Sequence, residues 1–145
     1  MTIRALESRD VEAILAIQAA CPEIAQWTAW DYDRVARGEM AGWIAENGAE
    51  VTGFVVARRV SSDLEVLNFA VELNSRRRGV GAELLAEALQ WAQTFQATSA
   101  ILEVRASNLA ALRFYERHKF EVVGRRTRYY TAPVEDALLL TATLG

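Results

Sequence analysis

Between residues 64 and 106 the chain passes from one apolar β run, "LEVLNFAVE", through a loop and a long amphipathic segment into a second β run, "SAILEVRA". Strand, helix and strand in that order close as a right-handed crossover with the two strands parallel. Parallel strands are buried on both faces, so the sheet needs helices on either side. The other stretches must build onto that unit. "TIRAL" alternates and reads as a first strand. Residues 10–20 place Val11, Ile14, Leu15 and Ile17 at helical spacing, and Pro22 ends the run. "TAWDYDRVARG" reads as a second helix with Thr28 as N-cap and Gly38 as stop. Residues 42–60 are two β runs around "ENGAE", whose Asn-Gly marks a hairpin turn.

The long amphipathic segment, residues 79–95, shows one broad apolar face of Leu84, Leu85, Ala88, Leu89, Trp91, Ala92 and Phe95. "NLAALRFYERH" is a further helix, capped by Ser107 or Asn108. "FEVVGRRTRYY" and "EDALLLTATL" are the last two strands, around a loop containing Pro133. The expected fold class is therefore α/β. A mixed central sheet with the order β-α-α-β-β-β-α-β-α-β-β occupies one domain, residues 1–145.

Composition narrows the function. A net charge of −3 and a pI near 5.3 argue against a general polyanion binder, so no direct nucleic-acid binding is expected. No stretch approaches the roughly 18 apolar residues of a membrane span. With Cys21 as the single cysteine there is no internal disulfide, and a reducing cytoplasmic location is the expectation. No His, Cys and carboxylate cluster has metal-ligand spacing, so no metal is expected.

The loop before the long helix is "SRRRGVG", from Ser75. The first turn of any helix offers unpaired N–H groups and partial positive charge, which suits an anion. Gly79 and Gly81 admit a phosphate to the backbone, and Arg76, Arg77 and Arg78 add charge. A P-loop needs Gly-Lys-Ser/Thr after its second glycine, but Ala82-Glu83-Leu84 follow here. A dinucleotide fingerprint needs a glycine where Leu84 stands. Two readings stay open on the loop alone: a pyrophosphate cradle of the Arg-x-x-Gly-x-Gly kind, or a solvated basic turn.

A second constellation follows in "ILEVRASNLAALRFYERHKF". Alternation puts Ala100, Leu102 and Val104 on one face of the strand and Ile101, Glu103 and Arg105 on the other. A carboxylate inside an apolar run is costly unless exposed, paired or used. Glu103 is thus a general base or the partner of Arg105 in an ion pair. Tyr115 lies one turn beyond Ala111 and Leu112; it is a proton donor to a thiolate or a core tyrosine.

Taken with "LEVLNFAV", the arginine–glycine loop and "YYTAPVEDA", these motifs resemble the ribosomal-protein-alanine N-acetyltransferases (RimI type) of the GNAT superfamily. The similarity covers nearly the whole chain, with five motifs in order and spacing. It implies the GNAT (acyl-CoA N-acyltransferase) fold, with acetyl-CoA as cosubstrate. Phe69, Ala70 and Val71 would bond the pantetheine arm through their backbone, and Asn108 would touch it. The loop from Arg76 through Arg77, Arg78, Gly79, Val80 and Gly81 to Ala82 would wrap the pyrophosphate. Glu103 matches the family's proton acceptor and Tyr115 its proton donor. The implied acceptor is the N-terminal alanine of a small-subunit ribosomal protein, a protein partner.

Glu23, Asp31, Asp33, Glu135 and Asp136 are candidate acidic contacts for a basic tail, or scattered solvated charge. Trp27 and Tyr130 match family positions near the acceptor groove. Two departures stand out: "ELNS" replaces the family's Asp-Pro-x-Tyr/Trp, and Lys119-Phe120 replaces Gly-Phe after the last helix. His118 is a substitute base or a helix-end charge, and Cys21 reads as a small buried thiol. The alternatives to N-terminal acetylation are a GNAT enzyme acting on a lysine or small amine, and a non-catalytic acyl-CoA-binding module.

Overall fold

Val, Ile, Leu and Phe concentrate in seven runs that pair into one sheet. These are β1 (Thr2–Ala5), β2 (Ala41–Asn47), β3 (Glu50–Val60), β4 (Asp63–Val71), β5 (Ser99–Arg105), β6 (Glu121–Thr131) and β7 (Val134–Thr143). The computed structural model describes residues 1–131 and 133–145; Ala132, in "YYTAPVEDA", lies outside the described residues. Four α-helices complete the chain: α1 (Val11–Ala19), α2 (Ala29–Ala36), α3 (Val80–Gln93) and α4 (Leu109–Arg117). The element order is the one expected from the sequence. Strands lie in the order β1-β2-β3-β4-β5-β7-β6, and β4 pairs with β5 in parallel while the other neighbours are antiparallel.

Caps fall where the side chains demand them. Thr28 accepts the Asp31 N–H at 3.2 Å while Asp31 accepts the Thr28 N–H, a reciprocal box that starts α2. Asn108, rather than Ser107, caps α4 by accepting the Ala111 N–H at 3.2 Å. At the end of α4, where a glycine would be easiest, Lys119 takes φ +71°. The "ELNS" departure folds as a short 3-10 turn, Leu73–Ser75.

The helices sandwich the sheet. On one face α1 and α2 bury Ile14, Ile17, Tyr32 and Val35 against Ile44, Phe54, Val56 and Ala70. Opposite, α3 and α4 bury Leu84, Leu85, Ala88 and Tyr115 against Val55, Leu64, Leu102 and Leu140. Each fully buried leucine contributes roughly 1.5–3 kcal/mol relative to leaving it exposed.

One irregularity decides the site. Opposite Val56 and Ala57 of β3, β4 carries Asn68 and Val66, so Leu67 is an extra residue. A bulge of one residue reverses which side chains face which way. Before it, Leu64 and Val66 point to the α3 and α4 side; after it, Phe69 and Val71 do, while Ala70 turns to α1 and α2.

Candidate active site

The parallel ladder between β4 and β5 has three pairs, ending at Glu65 and Ile101. Past the bulge the strands part, and the rest of β4 stays in ladder with β3 alone. The opening forms a cleft of about 390 Å³. Its lining includes Phe69, Glu103, Asn108 and Tyr115, four of the residues singled out from the sequence. Glu103 stands on the α1 and α2 face of β5, because its neighbours Leu102 and Val104 enter the opposite core. Tyr115 comes from α4, on that opposite side. The cleft therefore passes through the sheet, with a carboxylate and a phenol reaching it from opposite faces.

The Glu103 side chain is 26% exposed, and its Oε1 lies 3.4 Å from Arg126 Nε. The alternative pair with Arg105 does not form. Arg105 is drawn instead to Glu135, with Nη1 3.0 Å from Oε1, and its guanidinium lies 4.1 Å over the Tyr130 ring. Tyr115 is buried, with its ring edge-on to Phe69 and Phe120. Burial raises its pKa well above the ordinary phenol value, so the hydroxyl keeps its proton. Among the described residues that hydroxyl makes no hydrogen bond, yet no fully buried side-chain polar atom is left without a partner. The hydroxyl must therefore open onto the cleft.

The arginine–glycine loop precedes α3. Arg77 (φ +64°) and Gly79 (φ +82°) are both left-handed, and the first helical bond runs from the Glu83 N–H to the Gly79 carbonyl at 3.0 Å. The N–H groups of Val80, Gly81 and Ala82 thus precede the helical ladder, a concavity of donors suited to an anion. The two glycines serve different needs. Gly79 supplies the left-handed turn, whereas a Cβ on Gly81 would stand 3.2 Å from Phe114 Cε1. Arg77 and Arg78 are exposed at this mouth. Arg76 points elsewhere: Nε donates to the Val71 carbonyl at 3.1 Å, and Nη2 reaches Cys21 Sγ at 3.4 Å and Glu23 at 3.7 Å.

The remaining candidates separate. Glu23 and Tyr130 line the cleft. Asp31 is spent on its cap, Glu135 accepts the Ser107 N–H at 3.2 Å, and Asp136 pairs with Arg125 and the Arg128 N–H. Hydrogen bonds hold Asp31, Glu135 and Asp136 below the usual carboxylate range. Trp27 packs at 5.4 Å on Tyr32 rather than lining the cleft. His118 also stands outside it, its ring tilted at 4.5 Å from Phe114; burial first and Arg117 second lower its pKa, against the charged form a helix end favours. Cys21 is buried, and burial raises its thiol pKa despite Arg76. Among the described residues no His, Cys and carboxylate group could hold a metal.

Sequence reasoning missed Asn68, Arg126 and the role of Arg105. Asn68 had a signal, a lone amide in an apolar strand. Arg126 had none, since its approach to Glu103 depends on β6 lying beyond β7.

A family model described as the acetyltransferase (GNAT) family matches residues 7–120. The chain belongs to the GNAT acetyltransferase family. The GNAT fold is also that of the solved relatives, and this member is an enzyme of the acyltransferase class. The [ribosomal protein bS18]-alanine N-acetyltransferase of Escherichia coli is 28% identical over 150 residues, 99% of this chain and 98% of that protein. The crystal structure of the E. coli enzyme superposes with a TM-score of 0.84 at 25% identity, over 99% of this chain and 94% of that one. An N-alpha-acetyltransferase of Sulfurisphaera tokodaii is 30% identical over 156 residues, 98% of this chain and 92% of that protein. Arabidopsis thaliana NAA60, solved in complex with acetyl-CoA, shares the fold with a TM-score of 0.85 at 21% identity, covering 99% and 98% of the two chains.

Proposed function

We propose that this GNAT enzyme transfers an acetyl group from acetyl-CoA to a protein N-terminal α-amine, with the N-terminal alanine of a ribosomal protein as acceptor. One observation carries the reading: Glu103 and Tyr115 line a single opening through the sheet from opposite faces. The names of the E. coli and S. tokodaii relatives support the same acceptor class.

The loop fits a pyrophosphate. Val80, Gly81 and Ala82 keep N–H groups outside the helical ladder, and exposed Arg77 and Arg78 add charge beside them. The end of β4, at Phe69, Ala70 and Val71, has no ladder partner on the β5 side, which leaves an edge for a pantetheine arm, with the Phe69 N–H taken by Asn68 Oδ1 and the Val71 carbonyl by Arg76 Nε. Asn108, in the lining of the same cleft, has its Oδ1 committed to the cap, which leaves its Nδ2 for such an arm. Acetyl-CoA supplies the activated thioester carbonyl.

Glu103 accepts a proton from the incoming amine, directly or through a water. An α-amine, with a pKa of about 8 against about 10.4 for lysine, is neutral often enough near pH 7 for a modest base. The neutral nitrogen attacks the carbonyl carbon, the C–S bond breaks, and Tyr115 gives its proton to the departing sulfur. Burial keeps the phenol protonated, so a proton is there to give. Since the thiol's pKa of about 8.5 lies below that of the phenol, the transfer runs uphill and the phenol takes a proton back from solvent.

The test is incubation with acetyl-CoA and a peptide beginning Ala-Arg, read by mass spectrometry. The expected result is one acetyl group on the terminal nitrogen, with Glu103→Gln lowering kcat by about 10²–10⁴-fold. Turnover of a polyamine or lysine side chain, with none of the peptide, would overturn the acceptor assignment.

A further inference from the structure

Asn68 interrupts an apolar strand and is 4% exposed. A buried amide must find partners, and those it finds join three parts of the fold. Nδ2 donates to the Ala25 carbonyl at 3.0 Å and to Tyr32 Oη at 3.0 Å, while Oδ1 accepts the Phe69 N–H at 3.1 Å. The Tyr32 hydroxyl, on α2, donates to Gln18 Oε1 on α1. Gln18, 6% exposed, grips Trp27 twice: Nε2 donates to its carbonyl at 2.8 Å, and Oε1 accepts its N–H at 3.0 Å.

Both gripped backbones belong to residues 21–28, which contain no helix or strand. Glu23, Ile24 and Ala25 of that segment line the cleft on the face where Glu103 stands. Within the segment the Ile24 N–H bonds the Cys21 carbonyl and Gln26 Nε2 the Cys21 and Ile24 carbonyls, but it joins no ladder, and the side-chain relay ties it to β4 and the helices. The same Asn68 amide also caps the N–H of Phe69, at the donor end of β4. The bulge at Leu67 makes this possible, since without it Asn68 would face α3 rather than Tyr32.

We infer that the Asn68–Tyr32–Gln18 relay fixes the acceptor wall of the cleft against the strand that carries the acetyl donor, and that Asn68 is a positioning residue for the acceptor. The inference rests on the proposed entry of the amine from the α1 and α2 face. Its physical basis is contact and alignment: a wall displaced by about 1 Å loses contacts with the acceptor, which raises the peptide KM, and misplaces the bound amine, together costing up to about 10²-fold in kcat/KM.

Steady-state kinetics on the full chain, with the Ala-Arg peptide and acetyl-CoA varied in turn, tests it. Tyr32→Phe deletes only the central hydroxyl, and Asn68→Ala deletes the amide. The relay predicts that the peptide KM rises about fivefold or more in Tyr32→Phe and about tenfold or more in Asn68→Ala. The acetyl-CoA Kd, measured by calorimetry, stays within about twofold. A role in stability alone would reduce the amount of active enzyme, lowering apparent kcat and leaving both KM values in place. An unchanged peptide KM in Tyr32→Phe overturns the inference, as does a parallel loss of acetyl-CoA affinity. If Asn68→Ala does not fold, Tyr32→Phe decides alone. Failure of the α-amine assignment shows separately, in wild-type turnover; the same variant comparison then runs with whichever amine the wild type accepts.

Discussion

Tyr115 places a phenol where packing alone would place a phenylalanine. Its ring meets Phe69, Phe114 and Phe120, and its hydroxyl has no hydrogen-bond partner among the described residues. A hydroxyl that makes no bond in the fold contributes little to stability, so its presence points to chemistry. Tyr115→Phe is expected to leave the melting temperature within about 2 °C of wild type. Its kcat should fall about 10²-fold at unchanged acetyl-CoA Kd, as loss of a general acid does. Parallel thermal melts and kinetics check the pair. A large drop in stability with kcat intact would make Tyr115 a core residue and nothing more. The sequence supplied Glu103 and Tyr115 as residues with alternative uses. It could not choose, because the choice turns on which groups lie across the sheet. Arg105 looked like the partner of Glu103 at a spacing of two, yet Glu135 and Tyr130 hold it.

At the scale of elements, the turn before α3 and the one after α4 make opposite use of glycine. Gly79 accepts φ +82° without strain, while Lys119 holds φ +71° as an L-residue. A left-handed L-residue costs roughly 1–2 kcal/mol, so Lys119→Gly should stabilise the fold by about 0.5–1 kcal/mol once the added freedom of the unfolded chain is subtracted. Urea unfolding at pH 7 measures it. Gly81 answers to packing instead. With Phe114 Cε1 only 3.2 Å from the site of a Cβ, Gly81→Val crowds the Phe114 ring, which must give way. The expected result is a destabilisation of about 1–3 kcal/mol and weaker acetyl-CoA binding by calorimetry, with unchanged binding counting against the loop assignment. Helices and their caps were legible because Thr28 and Asn108 act on N–H groups three residues away. The bulge at Leu67 was missed although its mark is present: Asp63 and Glu65 alternate with Leu64 and Val66, then the phase slips at Val66-Leu67, which a short apolar run disguises as plain burial. What the sequence did carry was Asn68 itself, whose polarity in that run marks the place.

For the molecule as a whole, the sheet order joins the N-terminal β1–β4 meander to the β5-β7-β6 unit through three parallel pairs. That join is short because the cleft occupies the rest of it, and the shared core around Leu64, Leu84, Leu102 and Leu140 bridges the two halves. Stability elsewhere must tolerate this opening, and one charged cluster anchors the far edge. Asp10 is 3% exposed and accepts from Arg4 Nη1 at 2.9 Å, Arg4 Nη2 at 2.8 Å and the Glu7 N–H at 2.8 Å; Arg4 Nε continues to Glu46 at 3.1 Å. Burial alone would raise the Asp10 pKa, but the Arg4 and Glu7 hydrogen bonds outweigh it and hold the carboxyl below its ordinary value. A folded pKa below the unfolded one gives stability that is complete above about pH 4 and is lost as the pH falls through the folded value. Tyr32 and Tyr115 act at the other end. Burial raises both, so their contribution holds below about pH 10 and is lost as the pH rises beyond it. Stability should therefore form a plateau between these limits. Asp10→Asn keeps the shape of the side chain but removes its charge and sets an amide N–H against Arg4. The variant should lose about 2 kcal/mol at pH 7, the scale of hydrogen bonds to a charged group. Its deficit should shrink as the pH drops from about 4 towards 2, where the wild-type carboxylate takes up its proton. Urea midpoints of both proteins across that range decide it: a constant gap would mean that Asp10 holds the edge by packing, while a closing gap assigns the stability to its charge.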